Sequence, residues 1–172
     1  MKKLILAIIA VSGLSVFFSY NQTNVFCDTA ASQARRMGGL MENEVISLET
    51  LRQKQLNHES FLFFDARGKK NYDEGHIEGA VLPLAPEYYR QEELFRLGII
   101  RQLPEYDKAL AEAMSSYPKD TPLVTYCNDH CQASAMLLYR LKKLGFHDVK
   151  AMEGGFQSWE KKNYPIAKSN SS

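Results

Sequence analysis

The sequence predicts an α/β domain built on a parallel sheet. Three observations carry that prediction. Phe61-Leu62-Phe63-Phe64 and Leu123-Val124-Thr125-Tyr126 are short apolar runs of the kind that form strands buried on both faces. Segments with helical spacing separate such runs along the chain. The second run leads through a polar loop opening with Cys127 directly into Ala135–Leu144, where Leu137, Leu138, Leu141 and Leu144 form a helical stripe.

In chain order, Val45-Ile46 reads as a short first strand. Ser47 is a helix N-cap, with Glu49 in the first turn, for a helix ending near Leu56. The Phe61–Phe64 strand ends in Asp65. Residues 68–79 read as loop or short helix, and Ala80–Leu84 as another strand. Helical patterns follow over 86–98 and from Pro104 to about Tyr117. Pro118–Pro122 is a loop before the Leu123–Tyr126 strand. After the leucine stripe, Gly145 stands where a left-handed C-cap is wanted. Asp148–Met152 is the last expected strand, Gly154-Gly155 a turn, and Phe156–Lys162 a closing helix stopped by Pro165.

The 172 residues fit one domain with an N-terminal extension. Lys2-Lys3 precedes an apolar stretch, Leu4 to Phe18, so 1–31 reads as an export signal or membrane anchor and 32–44 as a linker. The domain is then 45–166, with a flexible tail over 167–172. Periplasmic or other extracytoplasmic location is the corresponding expectation. The formal charge is +1 overall and zero once the first thirty residues are set aside. A neutral domain has no broad basic field, which argues against nucleic acid as a partner. Contact with a membrane is expected only through the N-terminal segment.

The three cysteines are Cys27, Cys127 and Cys131, an odd number and too few for a disulfide scaffold. Cys127 follows a strand and precedes a helix. Backbone N–H groups and the dipole at such a helix start favour an anion, so a thiolate with a lowered pKa is expected there. Cys131 could attack a persulfide or sulfenate on Cys127 and close a disulfide, or merely support the loop. Cys127, His130 and Cys131 crowd within five positions and lack a fourth partner, which argues against zinc. No metal or cofactor is expected.

Two stretches together resemble the rhodanese family of sulfurtransferase domains. One is Asp65-Ala66-Arg67, Tyr72 and Gly75-His76-Ile77-Glu78-Gly79-Ala80. The other is Tyr126-Cys127 with its loop and helix, Gly145-Phe146, Glu153-Gly154-Gly155-Phe156 and Trp159. The resemblance runs from about Ile46 to Ile166. It implies a three-layer α/β fold with a central parallel sheet of about five strands flanked by helices. It also implies transfer of a sulfane sulfur through a persulfide on Cys127, with a small sulfur donor and a thiol or other nucleophilic acceptor, a protein thiol among them, as partners. Asn128, Asp129, His130, Gln132, Ala133 and Ser134 are the expected substrate-binding loop, with Asp65, Arg67 and His76 in support. The loop departs from the family in having no Arg or Lys, with Ala133 where an arginine is common. That argues against phosphatase chemistry, which needs the arginine clamp, and weakens thiosulfate as donor. The inserted segment 86–103 is a lid, a partner surface or decoration. Thiol–disulfide or reductase activity through Cys127 and Cys131, and a non-catalytic binding module, are the rival readings.

Overall fold

The computed structural model describes residues 40–99, 104–129 and 131–169. The proposed signal or anchor at 1–31, Cys27 and His130 lie outside them. Among the described residues no helix is long and apolar enough to cross a membrane.

A 3-10 turn at Glu42–Glu44 leads into β1 (Val45–Ile46), α1 (Leu48–Leu56), β2 (Leu62–Asp65), α2 (Lys69–Glu74) and β3 (His76–Ile77). Then come α3 (Pro86–Arg96), α4 (Pro104–Ala113), β4 (Leu123–Tyr126), α5 (Ala133–Lys143), β5 (Val149–Met152), α6 (Gly155–Lys161) and β6 (Ile166–Ala167). The main sheet has four strands in the order β1-β5-β4-β2, and all three of its pairings are parallel. The expected central parallel sheet is present, with four strands among the described residues against about five expected. The Ala80–Leu84 run contributes only a single parallel bridge, Val81 to Phe64. Pro83 lacks the N–H that would continue a ladder there.

Side-chain alternation on the strands produces the three layers. Phe64 and Leu123 point into a core shared with α4 and α5, through residues such as Leu110, Leu138 and Leu141. Phe63 and Val124 point the other way, into a core shared with α1 and α6, through Leu51, Phe156 and Trp159. Each strand of the β2–β4 pair is therefore covered on both faces, as its unbroken apolar sequence requires.

The chain enters the fold earlier than the linker reading of 32–44 places it. Leu40 is buried in the α5-side core. Glu44 closes its turn by accepting from the Met41 N–H at 2.8 Å and pairs with Lys142 on α5. The tail also starts later. β6 pairs antiparallel with β3, Ile166 opposite Ile77 and Ala167 opposite His76, and the Trp159 indole N–H donates to the Pro165 carbonyl at 2.9 Å. Helix starts follow the sequence at α1, where the Ser47 hydroxyl accepts from the Thr50 N–H at 3.1 Å, and Gly145 takes the left-handed conformation at φ 93° after α5.

Leu138 has no exposed surface and sits between α5 and the sheet. Leu138→Ala is expected to lower unfolding stability by about 2–5 kcal/mol, measured by urea denaturation.

Candidate active site

β4 lies between β5 and β2, and Cys127 follows its carboxyl end, where sites form in parallel sheets. The loop after it is held by the turn that starts α6. The Phe156 N–H donates to the Cys127 carbonyl at 2.8 Å, and the Asp129 N–H donates to Gln157 Oε1 at 2.8 Å. Gly155 is what allows this approach. A Cβ built there would lie 2.4 Å from the Asp129 nitrogen and 2.8 Å from the Cys127 carbonyl oxygen, and its φ is +63°. Sequence reasoning saw Gly155 only as a turn residue. The missed signal is that a turn alone needs no glycine so close to the reactive strand.

The cysteine itself departs from expectation. Cys127 is 2% exposed. Its thiol lies 2.9 Å from the Cys131 carbonyl oxygen and 3.3 Å from that of Asn128. Both oxygens accept the S–H proton and disfavour a thiolate. The hydrogen bond with the Cys131 side chain, followed by burial, pushes the Cys127 thiol well above the ordinary thiol value, and only contact with Ser134 pulls the other way. The expected lowered pKa is therefore corrected. The helix start does supply an N–H to sulfur, but to the other one: Ala133 donates to Cys131 Sγ at 3.4 Å.

The remaining loop residues divide. Ser134 Oγ lies 3.3 Å from the Cys127 sulfur, while its carbonyl accepts from the Thr125 hydroxyl at 3.0 Å. Ala133 is fully buried in the α5-side core, and its contact with the loop is the backbone N–H it gives to Cys131 Sγ. Gln132 is exposed at the N-cap position without a capping side-chain bond. Asp129 is exposed. Asn128 lines a cleft of about 370 Å³ together with Arg67, Glu74, Phe156, Glu160 and Lys168. Cys127 does not line it. The cations near the loop thus come from other elements and are matched by two carboxylates.

Asp65, Arg67 and Tyr126 form the buried polar frame under this loop. Arg67 Nη2 donates to Asp65 Oδ2 at 2.7 Å and to the Gly75 carbonyl at 2.6 Å. The Tyr126 hydroxyl donates to Asp65 Oδ2 at 2.5 Å and accepts from the Ile77 N–H at 3.1 Å. Burial works against the Arg67 charge, but the Asp65 hydrogen bond carries its pKa above the ordinary value. Burial, then the Asp65 charge, raises the Tyr126 phenol. The Arg67 guanidinium also lies 3.9 Å from the Phe156 ring centre, so the frame reaches the turn that pins the loop. His76 ties its own turn, with Nδ1 2.8 Å from the Tyr72 carbonyl and its ring stacked on Tyr72.

With the strand-end cysteine, the Asp65–Arg67 frame and the Gly155 turn in place, comparison with known proteins is informative. The family model of the rhodanese-like domain matches residues 47–162.

The chain belongs to the rhodanese-like domain family.

Its α/β sheet agrees with solved rhodanese-like structures. The rhodanese-like domain of an Anabaena protein is 20% identical and superposes with a TM-score of 0.53 over 73% of this chain and 79% of that one. A Bacillus halodurans protein is 19% identical, with a TM-score of 0.55 over 74% and 78%. These likenesses concern the fold. Among curated sequences, the tRNA uridine(34) hydroxylase of Onion yellows phytoplasma is 32% identical over 106 residues, which are 62% of this chain and 29% of that protein. The enzyme of the same name from Staphylococcus saprophyticus is 33% identical over 97 residues, 56% of this chain and 25% of that protein. This chain thus spans under a third of those relatives.

Two outcomes are expected at this rhodanese site. Gly155→Ala forces the loop off its seat, so alkylation of Cys127 by iodoacetamide at fixed pH accelerates at least severalfold. In the wild-type protein, the alkylation rate of Cys127 keeps rising as pH passes about 8.5, the ordinary thiol value, instead of levelling near neutrality. The sign follows from the raised pKa: the folded state holds the thiol proton more tightly than the unfolded state. Its contribution to stability is complete below about pH 8.5 and is lost as pH rises toward the folded value.

Proposed function

We propose that this rhodanese-like domain is a sulfurtransferase that carries a sulfane sulfur as a persulfide on Cys127 and passes it to a thiol acceptor. The observation that carries the reading is the placement of Cys127 directly after the central strand, with Ser134 Oγ 3.3 Å from its sulfur and its carbonyl held by Phe156. Asp65 and Arg67 are positioning residues, because the side-chain hydrogen bonds of Asp65 and most of those of Arg67 lie within the frame. In the loading step the Cys127 sulfur attacks the outer sulfur of a low-molecular-weight persulfide. The donor S–S bond breaks, a new S–S bond forms on Cys127, and the thiol proton leaves with the released donor thiol. An acceptor thiolate then takes the outer sulfur.

With Arg67 already paired to Asp65, the Asn128 cleft sets Lys168 against Glu74 and Glu160, which favours a zwitterionic thiol such as cysteine or glutathione over a compact dianion such as thiosulfate. The activity in the relatives' name belongs to much longer proteins. The formal charge of +1 does not favour a tRNA substrate for this one. The apolar stretch behind Lys2-Lys3 supports an exported domain.

The test is sulfur transfer from glutathione persulfide to a chromogenic acceptor thiol under steady-state conditions. Wild type is expected to turn over, and Cys127→Ser to lose at least a thousandfold in rate. Asp65→Asn is expected to fold less stably by about 3–5 kcal/mol, because it leaves Arg67 buried without its counter-charge. Undiminished turnover by Cys127→Ser would overturn the assignment.

A further inference from the structure

We infer that Cys131 is a second catalytic thiol, which resolves the persulfide on Cys127 into a Cys127–Cys131 disulfide and releases hydrosulfide, so that the domain reduces sulfane sulfur as well as carrying it. The inference rests on Cys127 being the sulfur carrier and deepens that reading.

Proximity is the first argument. The Cys127 sulfur lies 2.9 Å from the Cys131 main-chain oxygen, and the Cys131 side chain is the largest influence on the Cys127 thiol, holding its pKa up. The Cys131 N–H donates to the Asn128 carbonyl at 3.2 Å, a turn that folds residue 131 back over residue 127. Neither Cys127 nor Cys131 is held in a disulfide.

The second argument is the division of labour between the sulfurs. Cys127 faces carbonyl oxygens and keeps its proton. Cys131 receives the Ala133 N–H at the start of an eleven-residue helix, an environment that favours an anionic sulfur. The resolving sulfur is thus the one that a helix-start N–H helps to ionise. Exposure points the same way. Cys127 is buried and Cys131 is half-buried, so an external acceptor must reach a sulfur that its neighbour already touches. A positioned intramolecular thiol has a large entropic advantage in that competition.

The step balances without an added oxidant. The Cys131 sulfur attacks the inner sulfur of the Cys127 persulfide. The Sγ–Sγ bond forms, the bond to the outer sulfur breaks, and that sulfur leaves as hydrosulfide with the Cys131 proton. The two thiol sulfurs are oxidised by one electron each, and the sulfane sulfur takes both. A dithiol reductant, attacking at the more accessible Cys131, returns the pair to thiols.

The experiment uses the reduced full-length chain and one equivalent of glutathione persulfide, without added acceptor. Released sulfide is measured, and so is the mass of the tryptic peptide 120–140, which contains Cys127 and Cys131 and excludes Cys27. In wild type the expected result is about one sulfide per chain, with the peptide two hydrogens lighter and closed to alkylation. In Cys131→Ser the peptide should retain the added sulfur, and sulfide release should fall at least tenfold. A wild-type peptide that keeps its persulfide, or a Cys131→Ser protein that releases sulfide at the wild-type rate, overturns the inference while leaving the carrier role standing. No added sulfur on the Cys131→Ser peptide overturns the carrier role, and the resolving step falls with it.

Discussion

The hydrogen bond from the Phe156 N–H to the Cys127 carbonyl, made possible by the missing side chain of Gly155, is the contact on which the rest of the site depends. It joins the end of the central strand to the start of α6, so two segments far apart in sequence share one backbone seat. With the carbonyl held outward to Phe156, the sulfur turns toward α5 and packs in that helix's core. The loop then has to curl back within four residues, which brings the Cys131 backbone onto the Cys127 sulfur. Both the protonated state of Cys127 and its pairing with Cys131 follow from that curl.

A second constraint is electrostatic. Cys127 has no Arg or Lys in its loop to favour an anion, and the Arg67 guanidinium of the adjoining cleft is already committed. Its hydrogen bonds go to Asp65 and Gly75, and its flat face lies on Phe156. Removing a buried ion pair's partner is costly, so the frame is rigid and leaves Arg67 little freedom to turn toward a substrate. The site therefore relies on geometry. It has a fixed strand end, a serine hydroxyl near the sulfur, and a neighbouring thiol that receives the N–H of the helix start.

Much of this was legible in the sequence. The apolar runs at Phe61 and Leu123 announced doubly covered strands, and Ser47 and Gly145 marked helix ends through local backbone chemistry that needs no tertiary information. The Asp65–Ala80 and Glu153–Trp159 pieces identified the family. The errors came where a long-range partner decides the outcome. Ala80–Leu84 has strand composition, yet Pro83 limits it to one bridge. Ile166-Ala167 looked like the edge of a tail, yet pairs with β3. The helix start alone predicts a lowered thiol pKa, and the sign changes because the Cys131 side chain and burial both act against the thiolate. Cys131 was visible as a candidate, but its proximity to Cys127 depends on the loop's curl, which spacing does not encode.

The position of the transferred sulfur tests this account most directly. Full-length Cys131→Ser protein loaded with one equivalent of glutathione persulfide, trapped by alkylation and digested, gives a 120–140 peptide whose fragmentation locates the added atom. The account predicts a single added sulfur at Cys127, absent from a Cys127→Ser control that retains Cys131. A control loaded equally well at Cys131, or a Cys131→Ser protein with no sulfur at Cys127, would contradict it.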